Sequence, residues 1–286
     1  MGLKAGFIGL GYIGKYMALR LPAAGLETTV LDLVPGPVQE LVAAGAKAAA
    51  SPREVAAASD VVGVCVQTDA QVRDVVEGAN GLLESAKPGL VIAIHSTVLP
   101  STLEAVNAAA SARGVSVVGA CVTGNVRAAD PSFKLFLGGD PAAIAKIEPY
   151  TGAIAARVFQ VGALGNSCKV KICLNVITYL QWTAAFESQA LARASGVPLE
   201  VLEEVGRANG QLTDMMISYL GIFKLPEAAR KNEAMQASLR GNMHVAEKDL
   251  AHALALAREA GVALPAAALV SQLMARIYGV EDPKRR

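Results

Sequence analysis

Lys171 and Asn175 stand four residues apart in the stretch VGALGNSCKVKICLNVITYLQWTAAF, residues 161–186. On a helix that spacing puts both on one face. Val170, Ile172, Leu174, Val176 and Ile177 make the stretch apolar nearly all round, the pattern expected of a buried helix. One lysine there has a bland explanation, a stem along the core with its ammonium in water. A lysine and an asparagine together ask for more, because a buried ammonium is costly. The chemistry such a pair suits is proton transfer. An ordinary lysine, with a pKa of about 10.4, is a poor base. An apolar cleft and a neighbouring positive centre favour the neutral amine and bring it towards about 7–8.

The second chemical signal is Gly9-Leu10-Gly11-Tyr12-Ile13-Gly14, a GxGxxG between an apolar run and a helical stretch, residues 12–24, that Gly25 closes. The three glycines allow the tight turn, the approach of a pyrophosphate to the backbone, and close packing of helix on strand. The helix N-terminus adds free N–H groups and a positive dipole end. A second strand, residues 28–31, ends in Asp32, whose carboxylate would accept hydrogen bonds from the adenosine ribose. The same carboxylate would repel a 2′-phosphate, the next residue is Leu33 rather than an arginine, and no basic residue follows before Lys47. The cofactor expected is therefore NAD rather than NADP.

Elements that would position these groups follow in order. Residues 60–66, 89–94, 115–122, 135–137 and 157–161 read as strands, with helices over 70–76, from about 100, and over 141–150. Such alternation predicts an α/β fold, a doubly wound, mostly parallel Rossmann-type sheet. Ligands bind beyond the carboxyl ends of such strands. That rim carries Val66, Gln67 and Gln71 after one strand, Ser96 and Thr97 after the next, and Thr123, Gly124 and Asn125 after a third. From 166 to 195 the chain reads as one long helix, followed by helices over 199–209, 243–260 and 265–277. The expected division is a dinucleotide-binding domain over 1–162 and an all-helical domain over 163–286.

Composition narrows the class. A formal net charge of +1, with no dense Lys/Arg patch, argues against nucleic acid as a partner. No apolar run reaches the 18 or more residues of a membrane span, and the opening MGLKAGFIGLG runs into a strand without a signal-peptide pattern. Cys65, Cys121, Cys168 and Cys173 show no CxxC spacing, and His95, His244 and His252 show no metal-ligand spacing. A cytoplasmic protein without a metal is expected.

Four segments in order resemble the β-hydroxyacid dehydrogenase family, relatives of 3-hydroxyisobutyrate and 6-phosphogluconate dehydrogenases. They are GFIGLGYIGKYMALRL, then Val122-Thr123-Gly124-Asn125, then Gly162-Ala163-Leu164-Gly165 through Lys171 and Asn175, and finally Lys248-Asp249-Leu250. The resemblance implies that Lys171 is the acid/base and Asn175 its companion. It further implies that Thr123 and Gly124 touch the substrate, that Thr97 lies by the nicotinamide, and that Lys248 reaches the cofactor. Asn125 and Ser96 join the expected substrate contacts, and Val66, Gln67 and Gln71 the cofactor contacts beside the glycine loop and Asp32. A homodimer or higher homo-oligomer through the helical domain is implied too. The reaction expected is hydride transfer between NAD and the hydroxyl-bearing carbon of a β-hydroxy acid, or reduction of the matching aldehyde or keto acid.

This chain departs from the family pattern in informative places. Thr123 stands where serine is usual, Asn125 where a second glycine is usual, and Gly119 and Cys121 replace the common Asp and Pro. The family's decarboxylating members carry a glutamate seven residues after the lysine; here it is Thr178, which favours oxidation without decarboxylation. His95 is either a pocket residue or a core residue with its ring nitrogens satisfied, and whether Arg127 or His244 meets the substrate stays open. Two other readings stand beside the first: a reductase of another small carbonyl, such as a semialdehyde or glyoxylate-type compound, and a dinucleotide-binding sensor without turnover.

Overall fold

A computed structural model describes residues 2–124 and 133–282 of the chain. It divides into two compact units, Met1–Lys171 and Ile172–Arg286. The first runs β1 Ala5–Ile8, α1 Gly14–Ala23, β2 Thr28–Leu31, α2 Pro35–Ala43, β3 Lys47–Ala48, α3 Pro52–Ala57, β4 Val61–Val64, α4 Asp69–Glu77, β5 Val91–Ile94, α5 Pro100–Ser111, β6 Ser116–Thr123, β7 Lys134–Gly138, α6 Pro141–Lys146, α7 Glu148–Ile154 and β8 Arg157–Gly162. It ends in the first turns of α8, Asn166–Ala194.

The eight strands form one sheet in the order β3-β2-β1-β4-β5-β6-β7-β8. All neighbours pair in parallel except β6 and β7. Parallel pairing needs a crossover of about a dozen residues or more, and the link from Thr123 to Lys134 is shorter, so β7 returns antiparallel. Side chains alternate between two buried layers, as a sheet covered on both faces requires. Phe7, Val61, Val91 and Ala93 enter one layer, and Ile8, Val62, Ile92 and Ile94 the other. Each fully buried side chain of this size contributes about 1.5–3 kcal/mol, which makes the sheet a stiff base for its rim.

Residues 35–57 carry elements that the apolar pattern did not suggest: α2, β3 and α3. Pro35 and Pro52 at the first helical positions were the available signal. The helix expected over 141–150 is two, α6 and α7, which meet at Ile147.

The second unit is helical throughout its described residues. After the rest of α8 come α9 Leu199–Ala208, α10 Asp214–Leu220, α11 Glu227–Arg230, α12 Glu233–Glu259, α13 Pro265–Ser271 and α14 Met274–Tyr278. Helix α12 starts ten residues before the expected 243, because the Asn232 side chain caps it by accepting from the Ala234 N–H. Met243, Ala246 and Leu250 repeat at helical spacing and are buried with Tyr179 of α8 and Met274 and Ile277 of α14. Trp182 stacks on Tyr219 with ring centroids 4.3 Å apart. One expectation fails: α8 is not buried all round, since Leu174 and Ile177 are 38% and 51% exposed. Among the described residues, no helix is long and apolar enough to cross a membrane.

Candidate active site

The chain order of the sheet reverses between β1 and β4, which opens a crevice at their carboxyl ends. The glycine loop lies there. Gly9, at φ +93°, follows β1 so closely on the Cys65 carbonyl that a Cβ would sit 2.3 Å from that oxygen. A Cβ on Gly14 would lie 2.0 Å from the Gly9 carbonyl oxygen. The fold itself therefore demands both glycines. Gly11 differs: a Cβ there would meet no protein atom within 4 Å. The backbone at Gly11 is therefore open on that side. Leu10 is buried, Tyr12 is exposed, and Ile13 leads into α1 at Gly14.

Asp32 follows β2 and is held from both sides. Its Oδ2 accepts from the Leu10 N–H at 2.5 Å and its Oδ1 from the Val34 N–H at 2.7 Å. The carboxylate is thereby fixed beside the glycine loop, with a second lone pair on each oxygen. Leu33 next to it is 97% exposed.

On the rim beyond β4 and β5 the side chains of Ser96 and Gln71 bond to backbone, and His95 takes the second of its two expected places. Ser96 is buried and its Oγ accepts from the Val66 N–H at 2.9 Å, so its hydroxyl ties the ends of β4 and β5 together. The Gln71 side chain accepts from the Gln67 and Thr68 N–H groups, at 2.9 and 3.1 Å, while the Thr68 hydroxyl accepts from the Gln71 N–H. That reciprocal pair is a capping box for α4. His95 is a core residue. Its Nδ1 donates to the Ala120 carbonyl at 2.7 Å, so Nε2 is left to accept from the Tyr150 hydroxyl at 2.8 Å. Burial brings its pKa down to about 4. Thr97 is half-buried on the same rim, as is Thr123 at the end of β6, and Gly124 is exposed. Asn125 and Arg127 lie outside the described residues.

Beyond β8, the Cys121 and Cys168 sulfurs lie 3.6 Å apart and join β6 to the first turn of α8. Lys171 follows one turn later, half-buried, as the last residue of the first unit. The first turns of α8 thus belong with the sheet, nine residues past the division expected at 162.

In the second unit Asn175 is buried, and its Nδ2 donates to Asp249 Oδ2 at 2.7 Å. The Tyr179 hydroxyl donates to the same oxygen at 3.0 Å. Burial, and the Asp249 carboxylate beside it, push the Tyr179 hydroxyl well above its ordinary pKa, so it stays a donor. Lys248 Nζ lies 3.0 Å from Asp249 Oδ1, within ion-pair range but not aligned as a hydrogen bond, since that oxygen has no hydrogen-bond partner. His244 is exposed, with Nδ1 3.7 Å from a Glu247 oxygen. Asp249 and Tyr179 carry no role in the sequence pattern. Their signal was positional: Lys171, Asn175 and Tyr179 recur every four residues on α8, and Asp249 interrupts the apolar stripe of α12.

A family model of the NAD binding domain of 6-phosphogluconate dehydrogenase matches residues 4–162, more than half of the chain. The chain belongs to the β-hydroxyacid dehydrogenase family. An uncharacterized oxidoreductase of Mycobacterium tuberculosis is 34% identical over 283 residues, which cover 98% of this chain and 95% of the relative. The 2-(hydroxymethyl)glutarate dehydrogenase of Eubacterium barkeri is 30% identical over 275 residues, covering 95% and 88%. The crystal structure of a 3-hydroxyisobutyrate dehydrogenase from Salmonella typhimurium superposes with a TM-score of 0.81 at 28% identity, over 96% of this chain and 94% of that one. The dehydrogenase is thus an oxidoreductase acting on hydroxyl groups, with an NAD-binding domain over residues 4–162. Among its described residues no group of three or more His, Cys, Asp or Glu is placed to hold a metal ion.

Proposed function

We propose that the dehydrogenase oxidises the hydroxyl of a β-hydroxy acid, or reduces the matching aldehyde or keto acid, with Lys171 as general acid/base. The observation that carries the reading is the stripe on α8, with half-buried Lys171 one turn before buried Asn175, whose amide is itself anchored. In the oxidative direction the neutral Lys171 amine takes the hydroxyl proton, and as an ammonium it gives the proton back in reduction. Asn175 orients the hydroxyl and the amine. Bound NAD supplies the acceptor for the hydride, C4 of its nicotinamide ring. Thr123 and Gly124 would hold the substrate, and Thr97 would face the nicotinamide when the cofactor is bound. Thr178 directs its hydroxyl to the Leu174 carbonyl at 3.0 Å, so the position where decarboxylating relatives keep an acid offers none. Oxidation without loss of carbon dioxide follows.

The substrate class is drawn from relatives named for 2-(hydroxymethyl)glutarate and 3-hydroxyisobutyrate, both hydroxymethyl acids. NADH formation across a panel of β-hydroxy acids tests the reading. Lys171→Ala should lower turnover at least about 10³-fold with NAD affinity within a few-fold of wild type. Turnover surviving in that variant sinks the role of Lys171; tight NAD binding without turnover on any acid of the panel favours a sensor. Asp32, with Leu33 beside it, supports NAD over NADP. The double variant Asp32→Ser, Leu33→Arg should shift the ratio of kcat/KM values towards NADP at least about tenfold, and an unchanged ratio counts against the assignment. A homo-oligomer through the helical unit agrees with the exposed Leu174, Ile177, Leu191, Val201 and Val205 on α8 and α9.

A further inference from the structure

Asp249 is 3% exposed, and among the described residues of the helical unit it is the one carboxylate in a set of buried polar side chains that otherwise holds Asn175, Thr183, Gln189, Gln236 and His252. A carboxylate there is a poor device for stability alone. Replacing buried charged groups by apolar ones of similar size is often neutral or stabilising, so burial without another role would not favour it. What distinguishes this carboxylate is where its oxygens go. Oδ2 receives two donors from successive turns of one stripe, Asn175 Nδ2 at 2.7 Å and the Tyr179 hydroxyl at 3.0 Å. Lys248 brings its ammonium to 3.0 Å from Oδ1 and supplies countercharge.

An asparagine amide has two faces that differ only in which end donates. A carboxylate accepts and never donates while ionised, so the Asp249 contact forces the Nδ2 end of Asn175 towards α12. The Oδ1 end is then free as an acceptor, available to an ammonium or a substrate hydroxyl. Tyr179 fills the next turn and, as a donor, takes a second lone-pair direction of the same oxygen. Resting on the reading above, in which Asn175 works beside Lys171, we propose that Asp249 is a positioning residue: with Tyr179 it locks the Asn175 amide with its oxygen as the working end.

The test is a double-variant cycle with 3-hydroxyisobutyrate and 2-(hydroxymethyl)glutarate as the substrates supplied, and NAD affinity and thermal midpoint measured beside kcat. Asp249→Asn has nearly the same shape and no charge, and its own amide no longer dictates which end of Asn175 points to it. Expected is a loss in kcat of about 10²-fold, the cost of a slightly misplaced reacting group, with NAD affinity within threefold and the midpoint no lower. Asn175→Ala should cost about as much, and the double variant should be no slower than Asn175→Ala alone, because one residue acts through the other. A double variant whose losses multiply overturns the proposal, and so does Asp249→Asn within threefold of wild type. If that variant fails to fold, Tyr179→Phe removes one donor to the same oxygen: it should slow kcat severalfold in the parent and not at all in Asn175→Ala, and an equal loss in both overturns the proposal. A readout without turnover is the side-chain amide of Asn175 by nitrogen-proton NMR. One of its protons should be shifted downfield and protected from exchange in the parent, and neither in Asp249→Asn; an Asn175 amide unchanged by the substitution overturns the proposal. Lys171→Ala, assayed alongside, separates the two claims. An inactive Lys171→Ala with multiplying losses at 175 and 249 overturns this inference alone, whereas an active one removes the reading beneath it as well.

Discussion

The glycine loop and the polar cluster around Asp249 in the helical unit are held in place by opposite means. The loop works through backbone: Gly9 and Gly14 are pressed against carbonyl oxygens, and Asp32 grips two N–H groups within 22 residues of chain. The cluster works through side chains, with Asn175 and Tyr179 reaching an aspartate 70 or more residues away. Backbone constraints write themselves into sequence as fixed spacings of particular residue types. Side-chain contacts between distant helices leave no spacing to read, only a polar residue in an apolar stripe.

The largest test of that contrast lies within the loop itself. Gly14→Ala would place its Cβ 2.0 Å from a backbone oxygen that has little freedom to move. It should destabilise the first unit by about 1–3 kcal/mol or more and weaken NAD binding with it. Gly11→Ala meets no protein atom, so its unfolding midpoint in urea should match wild type within about 0.5 kcal/mol. Its NAD affinity should nevertheless fall at least about tenfold, measured by titration. A Gly11→Ala variant that binds NAD normally would show that the open space beside Gly11 is not where the pyrophosphate lies.

How far the sequence could be read follows from the same difference. The GxGxxG, the strand before it and Asp32 came straight from spacing, and so did the alternation that makes a mostly parallel sheet. The pair Lys171 and Asn175 was visible because four residues make one helical turn. Asp249 was visible only as part of a motif, without a role, since nothing in the order of residues says that α12 brings it to Asn175. Leu174 and Ile177 are exposed although the apolar pattern of α8 predicts burial, because apolar residues all round a helix do not say what covers each face. Ser96 and His95 show the converse: rim residues placed correctly along the chain turned out to spend their polar atoms on Val66, Ala120 and Tyr150. Sequence position sets which strand end a residue follows, not which way its side chain turns.

His95 makes the first unit sensitive to acid where the second offers an internal reference. Its folded pKa of about 4 lies below the ordinary value of about 6.5, so the unfolded chain binds the extra proton first. The stabilisation is complete above pH 6.5 and is lost as pH falls towards 4, by roughly 3 kcal/mol in all. Trp182, the chain's single tryptophan, lies in the second unit and reports on it by emission. Retained NAD binding reports on the first. As pH drops from 6.5 to 4.5, the urea concentration that abolishes NAD binding should fall faster than the one that shifts tryptophan emission. His95→Gln should be less stable at neutral pH but flatter with pH; a wild-type profile that is already flat would mean the imidazole does not stay neutral in the core.

The smallest expected effect concerns Gln71, a residue read from its rim position as a cofactor contact and found closing a capping box with Thr68. The pattern Thr68-Asp69-Ala70-Gln71 is itself a helix-start signature, so here the sequence held two readings of one residue, and backbone satisfaction is the one the structure displays. Gln71→Ala leaves the Gln67 and Thr68 N–H groups without their shared acceptor, and both residues are exposed, so water takes much of its place. A cost of about 0.5–1 kcal/mol in unfolding free energy follows, with NAD affinity within twofold of wild type. A tenfold loss of NAD affinity at unchanged stability would reverse that assignment: the side chain would then have to leave its cap when NAD binds, and this piece of the rim would be built by the ligand rather than before it.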